Sequence, residues 1–162
     1  MSSAEGSAEV SAVGPLAAID CGSNSTRLLV VSSDGMPLSR LMRITRLAQG
    51  VDSARRLDPA AVARTLVVLR EFRSVLDQLG VVSARLVATS AARDAENADA
   101  FLRRASALVG VDAEMLTGTE EGLLAYAGAT ADAPEYAGSN VVIDIGGGST
   151  EPVSYTHLRA HE

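Results

Sequence analysis

Residues 141–150 read VVIDIGGGST, and residues 16–26 read LAAIDCGSNST. The two stretches share the pattern Ile-Asp-x-Gly-x-x-Ser-Thr. It falls on Ile19, Asp20, Gly22, Ser25 and Thr26, and again on Ile143, Asp144, Gly146, Ser149 and Thr150. Each is a short apolar run that ends in an acid and enters a turn of glycine and small polar residues. That is how a buried strand running into a tight turn is written. One copy alone asks for nothing more than a hairpin, since Asp, Gly, Asn and Ser are ordinary turn residues. Two copies point to a shared task.

A glycine-rich turn lets several backbone N–H groups converge, because no Cβ blocks the approach, and such a nest binds an anion, typically phosphate. Gly146, Gly147 and Gly148, with Ser149 and Thr150 behind them, suit this. At the first turn Gly22 is followed by Ser23, Asn24 and Ser25, whose side chains add donors. A carboxylate beside each nest repels phosphate unless a hard divalent cation intervenes, Mg²⁺ by preference, often through water. Two such turns on equivalent strands are expected to face each other across a cleft and clamp one phosphate chain.

Composition narrows the chemistry. The 162 residues contain no lysine, so every cation is arginine or histidine. Schiff-base chemistry and the lysine-bearing phosphate loop are excluded. Both histidines, His157 and His161, lie at the extreme end, and Cys21 is the single cysteine, which leaves no zinc cluster or internal disulfide. Carboxylates, hydroxyls, amides and arginines must carry any reaction. A net charge of −6 speaks against nonspecific nucleic-acid binding. The opening MSSAEGSAEVSAVG is small and polar, unlike a secretory leader, and no apolar run is long enough to span a bilayer. The expected compartment is the cytoplasm.

Working outward from the first turn, 16–20, TRLLVVSS and 38–47 read as a strand meander with a hairpin signal at Asp34-Gly35. Asp58-Pro59 starts a helix whose apolar residues Val62, Leu66, Leu69, Phe72 and Leu79 recur at helical spacing. ARLVATS is a strand, 97–109 a helix, VDAEML a short strand, TGTEEGLLAYAGATA a helix and SNVVIDI a last strand. The meander followed by alternating helices and strands predicts an α/β domain with a mixed sheet. Within the last helix, Thr117 and Glu120 have capping-box spacing, which gives Glu120 a structural use. Glu121 is then the candidate to position or deprotonate water. Arg93 follows a strand end, where ligands sit in such folds. Arg27 directly follows the first turn. No spacing singles out Arg40, Arg43 or Arg46.

With these stretches in view, the chain resembles the exopolyphosphatase / guanosine pentaphosphate phosphohydrolase family of the actin, sugar-kinase and Hsp70 ATPase superfamily. The resemblance rests on AAIDCGSNSTRLLV, TRLAQGVD, LREFRSVLDQLGV, VATSAARDAENADAFL, GTEEGLLAYAGAT and VVIDIGGGSTE, in order from residue 16 to 151. It implies a ribonuclease-H-like (actin-like ATPase) domain and Mg²⁺-dependent removal of terminal phosphate from polyphosphate or guanosine pentaphosphate. By position it implies Glu121 as the acid that activates water and Arg93 as a cleft arginine touching phosphate. Asp144, Glu151 and Asp20 match the metal-side carboxylates. Ser23 to Ser25 and Gly146 to Thr150 match the phosphate loops. A homodimeric parent is compatible with the reading.

The expected organisation is a tail over 1–15, a first domain over 16–139 and the opening of a second over 140–151. Residues 152–162, PVSYTHLRAHE, depart from the family pattern, and Pro152 is unwelcome inside a strand. This segment is expected to be non-native. With the second domain only begun, the fragment is expected to be inactive alone, and strand 139–145, without its cover, either to pack onto the first domain or to promote aggregation. An ATP-dependent kinase and a non-catalytic folded fragment are the competing readings.

Overall fold

The computed structural model describes residues 14–131 and 139–156. The antiparallel meander is present as β1 (Leu16–Cys21), β2 (Ser25–Val31) and β3 (Pro37–Ile44). Two helices follow, a single turn α1 (Val51–Ala54) and the long α2 (Pro59–Gln78). The start of α2 is capped as its sequence dictates: Asp58 accepts hydrogen bonds from the amides of Ala60 and Ala61, with Pro59 at the first position. Next come β4 (Ser83–Ala88), the short α3 (Ser90–Arg93), α4 (Ala98–Val109), β5 (Ala113–Met115) and α5 (Gly118–Thr130). The last elements are β6 (Ser139–Ile145) and β7 (Thr150–Thr156).

The first five strands form one mixed sheet in the order β3-β2-β1-β4-β5, with β4 parallel to both β1 and β5. The predicted α/β class and mixed sheet are therefore observed. Because β1 lies at the centre, the turn after Cys21 opens at the middle of the sheet's edge. The segments after β3 and β5 come up on either side of it. The core under the sheet is built from Ile19, Leu28, Val30, Leu69, Phe72, Leu86, Phe101 and Val109, filled in by Ala88, Ala91, Ala92, Ala98 and Ala105. In a chain with so few aromatics, small residues let α2 and α4 pack closely on the strands.

Three local features differ from expectation. β3 stops at Ile44 rather than running to Leu47, since the amides of Thr45 and Arg46 both turn back to the Asn24 carbonyl. The four-residue helices α1 and α3 are too short to show a helical period in sequence. Strand β7 passes through Pro152, which pairs with Ile143 in the two-stranded β6–β7 ribbon. Such a ribbon has no central strand, so proline's missing N–H is tolerated. Strand β6 leaves one apolar side uncovered: Val141, Ile143 and Ile145 are all exposed.

Phe72 is wholly buried at the centre of α2, whereas Val67 on the same helix is mostly exposed. Phe72→Ala is expected to cost about 3–5 kcal/mol of unfolding free energy. Val67→Ala should stay within roughly 0.5 kcal/mol of the parent. Urea denaturation of the two variants side by side measures the contrast.

Candidate functional site

The repeated sequence pattern is a repeated structure. In the first hairpin Asp20 pairs with Arg27 and Cys21 with Thr26. In the second, Asp144 pairs with Glu151 and Ile145 with Thr150, the same register. Each turn closes with one hydrogen bond of the same kind: Gly22 N–H to the Ser25 carbonyl at 3.1 Å, and Gly146 N–H to the Ser149 carbonyl at 2.9 Å. The acid therefore stands at the same place relative to its turn in both copies.

The two turns touch. A Cβ on Gly148 would lie 2.6 Å from Ser23 Oγ and 2.9 Å from Ser90 Oγ, and one on Gly147 only 3.1 Å from Asn24 Cβ. Glycine at 147 and 148 is what lets the second turn seat on the first. Ser23 Oγ and Ser90 Oγ are themselves hydrogen-bonded at 2.8 Å, which ties the first turn to the start of α3. On the other side, the segment after β3 braces the turn. Thr45 and Arg46 amides donate to the Asn24 carbonyl at 3.1 and 2.9 Å, and Ala48 N–H to the Ser23 carbonyl at 3.0 Å.

Between these walls lies a cleft of about 700 Å³. Its lining includes both turns, three carboxylates (Asp20, Asp144 and Glu121) and two arginines (Arg27 and Arg46). Asp20 is the most constrained group. Its Oδ1 is buried with no hydrogen-bond partner among the described residues. Burial holds its carboxyl above the usual carboxylate range, Arg27 draws it partly back, and the charge of Asp144 pushes it up again. Cys21, next in sequence, is buried, and its thiol is raised so far by burial that it stays protonated and unreactive.

The two adjacent acids of α5 have separate uses. Glu120 completes the expected capping box, with its Oε2 accepting from Thr117 N–H at 2.8 Å and Thr117 Oγ1 accepting from Glu120 N–H at 3.2 Å. Glu121, one residue on, turns into the cleft. Arg93 donates through Nη1 to Glu121 Oε2 at 3.2 Å and to the Leu116 carbonyl at 2.8 Å. Arg93 is thus not among the cleft's lining residues. It sits behind Glu121 and fixes that carboxylate to the end of β5.

The structure brings Asp20, Gly22, Ser23, Asn24, Ser25, Glu121, Asp144, Gly146, Gly147 and Ser149 to one cleft. Gly148 packs against Ser23 and Ser90, Thr150 pairs with Ile145, and Glu151 pairs through its backbone with Asp144. Sequence reasoning left Arg27 and Arg46 without a role, and missed Gln49, Thr89 and Ser90, which also line the cleft. Thr89-Ser90 had a signal, a hydroxyl pair closing the apolar stretch ARLVATS, and the strand in fact ends before it, at Ala88. Arg46 had none, because its position depends on a turn set by the Asn24 carbonyl.

An orphaned carboxylate oxygen, facing a second carboxylate across a polar cleft, is a fit for a hard divalent cation. No group of three or more acidic, histidine or cysteine ligands occurs among the described residues. Asp20 and Asp144 suit a cation that takes most of its shell from water and ligand oxygens.

The profile of the Ppx/GppA phosphatase family matches residues 28–160. The chain belongs to that family. Exopolyphosphatase 2 of Mycobacterium tuberculosis is 41% identical, across 88% of this chain and 48% of its own length. Among solved structures, an exopolyphosphatase-like protein shares 41% identity with a TM-score of 0.80, covering 87% of this chain and 44% of its own. The exopolyphosphatase of Cytophaga hutchinsonii superposes with a TM-score of 0.82 at 28% identity, covering 88% and 46%. The chain spans about half the length of the curated relatives it matches.

Because the Asp20 carboxyl is raised in the fold, its contribution to stability is present below the usual carboxylate range and lost as pH climbs through the raised value. Asp20→Asn is therefore expected to melt higher than the parent at neutral pH, with the gain shrinking toward pH 3. The same substitution should remove most of any rise in melting temperature that MgCl₂ gives the parent. Differential scanning fluorimetry across pH, with and without Mg²⁺, checks both.

Proposed function

We propose that the protein is a phosphohydrolase that releases the terminal phosphate of a linear phosphoanhydride chain, inorganic polyphosphate first, with Mg²⁺. The observation that carries this reading is the seating of one amide-lined turn on its copy, so that Asp20, Asp144 and Glu121 line a single cleft. The names of relatives at 41% identity support it. Guanosine pentaphosphate is a second candidate substrate, since its terminal phosphate offers the same bond.

In this reading the amides of both turns and their serines hold the phosphate oxygens from two sides. Asp20 and Asp144 would hold the cation, which would supply positive charge to neutralise the phosphate oxygens when bound. Glu121 orients a water for in-line attack and takes its proton. The water oxygen bonds to the terminal phosphorus as the bridging P–O bond breaks, and the shortened chain leaves with the bond's electrons. Arg93 acts one step back: by gripping Glu121 Oε2 and the Leu116 carbonyl together, it sets the direction of the carboxylate. We propose little or no turnover from these 162 residues alone. The β6–β7 wall of the cleft is a two-stranded ribbon whose apolar side faces outward.

Glu121→Gln in a family-length protein containing this chain is expected to lower phosphate release by about 10²–10⁴-fold while polyphosphate still binds. A colorimetric phosphate assay paired with equilibrium binding tests it. Turnover retained in the variant would remove Glu121 from the role.

A further inference from the structure

We infer that Arg46 is a specificity residue for the phosphate chain: it receives the part of the chain beyond the phosphate being removed and makes the site favour long polyanions. The inference rests on the phosphohydrolase reading above. It comes from the direction in which the fold spreads charge along the cleft. Glu121 enters from the segment after β5, at one edge of the sheet, and Arg46 from the segment after β3, at the opposite edge. The two turns lie between them. If water is activated at the β5 side, the terminal phosphate lies there and the rest of the chain runs toward Arg46.

The arginines of the molecule divide by what already occupies them. Arg43, Arg73 and Arg85 are paired with Glu71, Asp77 and Glu114 at the surface. Arg93 is taken up by Glu121 and the Leu116 carbonyl. Arg27 is drawn electrostatically to Asp20, its strand partner. The Arg46 guanidinium makes no hydrogen bond or ion pair among the described residues, yet it lines the cleft.

Its placement is built. Arg46 has φ of 50°, a left-handed conformation that non-glycine residues seldom take. What holds it there is the convergence of two amides on the Asn24 carbonyl and a clamp from α2. Arg64 donates through Nε to the Thr45 carbonyl at 3.1 Å and through Nη2 to Gln49 Oε1 at 3.0 Å. Backbone strain kept by surrounding contacts at the rim of a cleft points to use. A cleft of about 700 Å³ has the size of a site for an extended ligand rather than a lone orthophosphate.

The test uses Arg46→Asn, which removes the charge but tolerates the left-handed backbone, together with Arg46→Lys. Binding of pyrophosphate, tripolyphosphate and a long-chain polyphosphate is measured with Mg²⁺ by calorimetry, and melting temperature is followed as a fold control. Loss of one charge-assisted contact is expected to weaken tripolyphosphate binding about tenfold or more. The loss should be smaller for pyrophosphate, and Arg46→Lys should recover part of it. In a hydrolysing protein, KM should rise more than kcat falls. Parent-like affinity of Arg46→Asn for tripolyphosphate, or an equal loss for pyrophosphate, overturns the inference and leaves the phosphohydrolase reading intact. Failure of the parent to bind any of the three overturns both.

Discussion

Asp20 and Asp144 carry like charges into one cleft, and one of them is buried with an oxygen that nothing in the protein satisfies. Folding alone gains nothing from that arrangement, since an unpaired buried carboxylate costs stability and like charge raises the cost. Everything nearby nevertheless enforces it. Two glycines allow the turns to touch, Ser90 and the segment after β3 hold the first turn in place, and matching hairpin registers fix each acid beside its own turn. A cation held between the acids, with phosphate oxygens completing its shell, would relieve the repulsion that the fold has set up. Such a ligand would stabilise the site.

The sheet order explains how one cleft collects groups from distant parts of the chain. With β1 central, its turn opens at mid-edge, and the parallel neighbour β4 ends beside it at Thr89-Ser90. The outer strands then deliver opposite kinds of charge: β5 leads to the acid Glu121, β3 to the cation Arg46. A polar gradient of this kind suits a linear ligand that is consumed from one end.

Much of this was legible in the residues. The twin Ile-Asp-x-Gly-x-x-Ser-Thr pattern carried the identical registers, because a hairpin's pairing follows from where its turn falls. Capping-box spacing separated Glu120 from Glu121 before any coordinates were needed. Asp58-Pro59 marked the start of α2 correctly. What stayed hidden depended on contacts between remote segments. Arg93 was placed at the right strand end, but the Leu116 carbonyl, 23 positions along, decides where its guanidinium goes. Arg46 looked like one of several arginines on a strand until the Asn24 carbonyl ended that strand early. Strand β7 was masked by Pro152, whose local veto applies to central strands and not to a two-stranded ribbon.

The central claim is that both turns and their acids serve one bound cation and its oligoanion. Mn²⁺ substituted for Mg²⁺ in the presence of tripolyphosphate tests this most directly, by paramagnetic broadening of backbone amide resonances. The expected result is strong broadening at residues 22–25 and 146–149 together, abolished by Asp20→Asn. Broadening confined to one turn, or centred away from both, would contradict the account.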